Sequence, residues 1–151
     1  MIDEDTKAEI ALVIGQATGL PLPDAAYAIW RRRYRLNTLE GRPTPEEVMA
    51  FRAMSPTEQA AAMRRDRDFA QDGPTFGYLK SVCPHATDDE IKQAIITAVR
   101  FESDCFKYFA NNDTDYWQQC VYAVARAAKE SPVFLEETYQ QARNDVAYYY
   151  K

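Results

Sequence analysis

Apolar residues recur along this chain at three- and four-residue spacings, the period of a helix that buries one face. Residues 88–110 show it most clearly: Ile91, Ala94, Ile95, Ala98, Val99, Phe101, Cys105, Phe106, Tyr108 and Phe109 share one half of a helical surface. Residues 114–130 gather Tyr116, Trp117, Cys120, Val121, Val124, Ala127 and Ala128 in the same way. Residues 132–149 gather Phe134, Leu135, Tyr139, Ala142, Val146 and Tyr149. These segments predict a C-terminal three-helix antiparallel core joined by short turns. Residues 56–71 carry only a thin stripe of Ala60, Met63 and Ala70 among charges, which predicts a peripheral helix.

Helix starts punctuate the chain. Thr44-Pro45-Glu46-Glu47 and Ser55-Pro56-Thr57-Glu58 each offer a hydroxyl cap, a proline at the first helical position and a glutamate at the third. Thr87-Asp88-Asp89-Glu90 and Thr6-Lys7-Ala8-Glu9 repeat the box without proline, and Ser131-Pro132 is a further start without the glutamate. Gly19, Gly41 and Gly73 follow periodic stretches, where a helix ends most cheaply. No alternating β-branched run and no Asn-Gly or Asp-Gly hairpin turn competes with this pattern. The prediction is an all-α bundle of about eight helices, near 6–18, 24–36, 45–54, 56–71, 75–82, 88–110, 114–130 and 132–149. No linker or composition break divides residues 1–151, so they are expected to form a single domain.

Composition narrows the function. The 151 residues carry a formal net charge of −5, which excludes a general polyanion binder. Only five glycines and one histidine argue against a glycine-rich phosphate cradle and against histidine-based catalysis. No secretory n-region precedes an apolar stretch, and no run approaches a membrane span. Three cysteines are an odd number in a chain long enough to fold without staples, so a reducing cytoplasm is expected.

Cys83-Pro84-His85 with Cys105 and Cys120 is the one conceivable soft-metal set, but its spacing lacks the paired knuckles of zinc sites. Free cysteines on apolar helix faces behave as small core residues. Cys83 and His85 are also poorly placed as nucleophile and base. Asn111-Asn112-Asp113-Thr114-Asp115 lacks the central Gly and closing Glu of a calcium loop and reads as a turn with a helix cap. No metal or cofactor is expected, nor an enzyme.

Two charges sit among apolar positions. Glu102 lies near the centre of the apolar arc of 88–110, and Arg33 lies between Ile29 and Trp30 on the wheel of 24–36. An unpaired buried charge costs several kcal/mol, so Arg33 and Glu102 should pair with each other or recognise a ligand, unless Arg33 snorkels to the rim. Arg31, Arg32 and Arg35 cluster opposite the apolar arc. Together with Trp30 they have the composition of an interface centre, as do Tyr148 and Tyr150 at the end of the chain. The Arg64, Arg65 and Arg67 cluster adds to this basic surface. Three consecutive tyrosines cannot all point inward: Tyr149 is expected to be buried and Tyr148 exposed.

The expectation is a small helical protein-interaction module, such as a regulator, inhibitor, immunity-type protein or accessory subunit, that binds a larger protein. One alternative is a helix-turn-helix nucleic-acid-binding regulator using residues 9–36, since Gln16 to Pro21 supply a turn and four arginines follow it. Against that alternative, the arginines lie at the helix end rather than at its base-reading turn. A further alternative is a small-molecule pocket or small enzyme around Glu102 and Arg33.

Overall fold

A computed structural model describes residues 4–33, 35–36, 45–67, 74–109 and 115–149, without the side chains of 63–67 and 74. Gly41, Gly73, Thr44, Tyr34, Asn111 to Thr114 and Tyr150 lie outside the described residues, as do the side chains of Arg64, Arg65 and Arg67. Among the described residues the protein has eight helices and no strand. They are α1 (Glu4–Ala17), α2 (Leu22–Trp30), α3 (Pro45–Ala53), α4 (Pro56–Arg67), α5 (Pro74–Val82), α6 (Asp88–Lys107), α7 (Tyr116–Glu130) and α8 (Glu136–Tyr149).

The capping chemistry explains several boundaries. The Thr87 hydroxyl accepts from Glu90 N–H while Thr87 N–H donates to the Glu90 carboxylate, a complete capping box that opens α6. Ser55 accepts from Glu58 N–H at the start of α4, and Asp115 accepts from Gln118 N–H at the start of α7. Gly19 ends α1 with φ of +83°, the left-handed conformation that glycine adopts at least cost.

Two expected starts are corrected. Thr6 does not cap α1, because Glu4 and Asp5 are already helical. Ser131-Pro132 does not open the last helix, which begins only at Glu136. Its cap comes instead from α2: Asp24 accepts from Leu135 N–H at 2.8 Å and from the Thr138 hydroxyl at 2.6 Å. The residues before α8 form a turn held by the Tyr139 hydroxyl, which donates to Ser131 O at 2.7 Å.

Helix α6 is the central element and packs against α2, α5, α7 and α8. The three C-terminal helices do pack together, with α2 added as an equal contributor. Phe101 of α6 is fully buried, 4.8 Å from the Phe134 ring and edge-on to Tyr27 and Tyr139, each at 5.5 Å. Aromatic burial of this kind stabilises by about 3–5 kcal/mol per large side chain on the scale of truncation to alanine. Helices α3 and α4 pack only sparsely on the remainder, and α3 has no buried residue. Trp117 and Leu135, expected on apolar faces, are partly exposed, because α7 and α8 have neighbours over a narrower arc than their apolar residues span.

Helix α2 departs most from expectation. It ends at Trp30 rather than continuing to 36. Arg32 N–H reaches back three residues to Ile29 O, tightening the chain, and Leu36 N–H then bonds to Arg32 O. The regular repeat of α2 is therefore interrupted after Arg31. Buried residues occupy most of its circumference, because α1, α5, α6 and α8 all pack on it.

Candidate functional site

Asp24 of α2 bonds to Leu135 and Thr138 at the start of α8, and Arg31 bonds to Asp145 seven residues further along. The two helices thus run side by side in the same direction. Where α2 ends, its last turn, α6 and α8 enclose a cleft of about 610 Å³. Arg31, Arg32, Arg33, Arg35, Glu102 and Tyr148 all line it, so six residues singled out in the sequence meet at one place.

The floor is a saturated polar network. Arg31 donates through Nε to Asp145 Oδ2 at 2.8 Å and through Nη2 to Oδ1 at 2.6 Å, a bidentate pair. The Tyr27 hydroxyl donates to Oδ2 at 3.0 Å and Gln141 Nε2 to Oδ1 at 3.0 Å. Asp145 thus accepts four hydrogen bonds, about the capacity of a carboxylate. Burial, reinforced by the Asp145 charge, pushes the Tyr27 hydroxyl well above the ordinary phenol range, so it remains a donor. Burial opposes the Arg31 charge, but hydrogen bonding and attraction to Asp145 outweigh it and raise its pKa further.

Beside this network, Arg33 donates to Glu102 through both terminal nitrogens, at 3.1 and 2.8 Å, and to Trp30 O at 3.0 Å. Its guanidinium lies 4.0 Å from the centre of the Trp30 ring. The two charges among apolar positions therefore satisfy one another. Cys105 forms part of the wall, and burial raises its thiol pKa far enough to keep it neutral and unreactive.

Three expectations about exposure are corrected. Trp30 is only 4% exposed, because α2 is enclosed by its neighbours. Arg31 does not point outward: its N–H still bonds to Tyr27 O, so it continues the face of Asp24 and Tyr27 on which α8 packs, leaving its side chain 13% exposed. Tyr149 is 64% exposed, since it sits on the last turn of α8 with Phe106 against one ring edge. Tyr148 is 80% exposed, as its place on the wheel implied. Sequence reasoning missed Asp145 and Tyr27 altogether; the available signal was a carboxylate beside Ala142 and Val146 on the apolar border of α8.

The rim differs from the floor. Arg35 is half-exposed and paired with Glu9 of α1 at 2.6 Å. Arg32 is exposed, and among the described residues its guanidinium has no ion pair. A second cavity of about 490 Å³ adjoins the first and shares Tyr27, Arg31, Arg32 and Gln141 with it. Leu20, Ala28 and Leu135 give it apolar walls.

Elsewhere, Cys83 is half-buried and Cys120 is buried, and among the described residues no three His, Cys, Asp or Glu side chains are grouped to hold a metal ion. Among the described residues no helix is long and apolar enough to cross a membrane. In comparisons with family models, with curated proteins and with solved structures, nothing matches this chain.

Proposed function

We propose that this protein acts by binding a larger protein through the face where the end of α2, α6 and α8 meet, as a regulator, inhibitor or accessory subunit in a reducing cytoplasm. The observation that carries the reading is the rim: Arg32, without an ion pair among the described residues, stands with exposed Tyr148 and Tyr149 over a floor already held rigid by two bidentate ion pairs. Arginine and tyrosine are the residue types that concentrate binding energy in interfaces, and a preformed floor lowers the ordering cost of association. The free cysteines agree with the compartment.

The helix-turn-helix alternative has less support. A recognition helix must present a face to the groove of DNA, and α2 is enclosed by four other helices. A small-ligand reading retains one favourable observation, a cleft volume within the range of ligand pockets, and a bound mass in a native spectrum would support it.

The test is affinity capture of partners from the native host with the unaltered protein, with Arg32→Glu combined with Tyr148→Ala, and with Met49→Ala on α3 as a surface control. A partner captured equally by all three would sink the proposal. Loss in the first variant alone supports it.

A further inference from the structure

Resting on that reading, we infer that the groove between α2 and α8 receives an extended acidic segment of the partner, with an apolar side chain at its other end. Length is the first argument. The two cavities follow α8 from Leu135 to Tyr149, about 21 Å at 1.5 Å per residue, the span of about six extended residues. A compact ligand would fill one cavity. Two cavities on either side of a saddle made by the satisfied Arg31, Asp145 and Gln141 cluster suit successive side chains of an extended chain.

Charge gives the second argument and sets the orientation. Glu102 and Asp145 are consumed by Arg33 and Arg31, which among the described residues leaves Arg32, on the boundary that the two cavities share, to attract a carboxylate. Arg35 can serve a second one, since its pair with Glu9 is exposed and readily exchanged. At the other end, Leu20, Ala28 and Leu135 face the cavity beside the exposed Glu137, which would repel an acid there. The apolar residue of the segment therefore sits near Leu135 and its acids near Arg32 and Arg35. Leu135 and Gln141, the latter shared by both cavities with Arg32, are six residues apart along α8, about 9 Å, equivalent to about three residues of extended chain.

The experiment pans the full chain against a displayed random heptapeptide library and then measures the best binder, fluorescein-labelled, by anisotropy. The expected result is enrichment of Asp and Glu about three positions from a large apolar residue. Affinity is then expected to fall more than about tenfold with Arg32→Glu, and also with Leu135→Glu, at unchanged thermal midpoint. Binding should weaken as salt rises from about 50 to about 300 mM. The inference is overturned if nothing is enriched, if enriched peptides lack acids, or if Arg32→Glu leaves affinity unchanged. It is also overturned if labelled oligo-dT binds in their place with the same Arg32 dependence. Capture of a host partner that needs Arg32, with no acidic peptide selected, overturns the extended segment while leaving the protein-binding face intact.

Discussion

Replacing Asp145 by alanine removes the acceptor shared by Arg31, Tyr27 and Gln141. What remains is a guanidinium 13% exposed and a buried phenol, both without their anion. Breaking a buried pair by deleting one partner costs about 3–5 kcal/mol, chiefly because the surviving charge stays desolvated. Asp145 itself is 22% exposed, so water can enter part of the vacated space, and the lower end of the range applies. We expect about 3 kcal/mol of destabilisation. For a chain of this length that is a fall of about 6–12 °C in thermal midpoint.

Urea unfolding followed by circular dichroism measures the loss directly. The physical reason can be separated from mere loss of packing by a second variant, Tyr27→Phe with Arg31→Met and Asp145→Leu. It removes both charges and the Tyr27 donor together, leaving only the half-buried Gln141 amide, and most of the stability should return. A loss below about 1 kcal/mol for Asp145→Ala would place the pair with ordinary surface ion pairs and refute the argument. So would a triple variant no more stable than the single one.

Three other outcomes follow from the same geometry. Asp24→Ala should cost about 2–3 kcal/mol, since it strips α8 of its cap and leaves Leu135 N–H and the Thr138 hydroxyl unpaired; Asp24→Asn, which keeps the accepting oxygen, should cost less in the same urea assay. Burial and the neighbouring Glu130 hold the Asp104 carboxyl above its ordinary range, so the folded protein keeps a proton there that the unfolded chain has released. Stability should therefore fall as pH rises through that window, and Asp104→Asn should flatten the slope in denaturation midpoints taken from about pH 4 to 7. The Tyr108 hydrogen bond lowers Glu130, whose contribution is lost only as pH falls further, through its own lowered value. Burial raises all three thiols, with Cys105 and Cys120 inside the core, so a thiol reagent at neutral pH should label Cys83 alone in the native protein and all three cysteines after unfolding.

What was legible in the sequence is what local chemistry decides. Thr87, Ser55 and Asp115 cap helices because a hydroxyl or carboxylate before a helical run has its donors within four residues. Glu102 and Arg33 were legible for a related reason: a charge on an apolar arc must be satisfied, and the arc itself shows where it points. Long-range partners carried no such signal. Asp24 caps a helix more than a hundred residues away, so α8 starts where α2 permits rather than at Ser131-Pro132. Trp30 and Arg31 were misplaced together, because a wheel of α2 alone cannot register that four other helices pack around most of its circumference.

The arginine stretch joins fold to function. Three of its four arginines are tied to acids from three different helices: Arg35 to Glu9 of α1, Arg33 to Glu102 of α6 and Arg31 to Asp145 of α8. A run that looked like one basic surface thus fastens the end of α2 to the rest of the bundle. Substituting Arg31 or Arg33 would weaken binding through lost stability whether or not either meets a partner, because each leaves a carboxylate stranded. Among the described residues Arg32 has no acid to strand, so a loss of affinity on its charge reversal, at unchanged stability, reports on the partner alone.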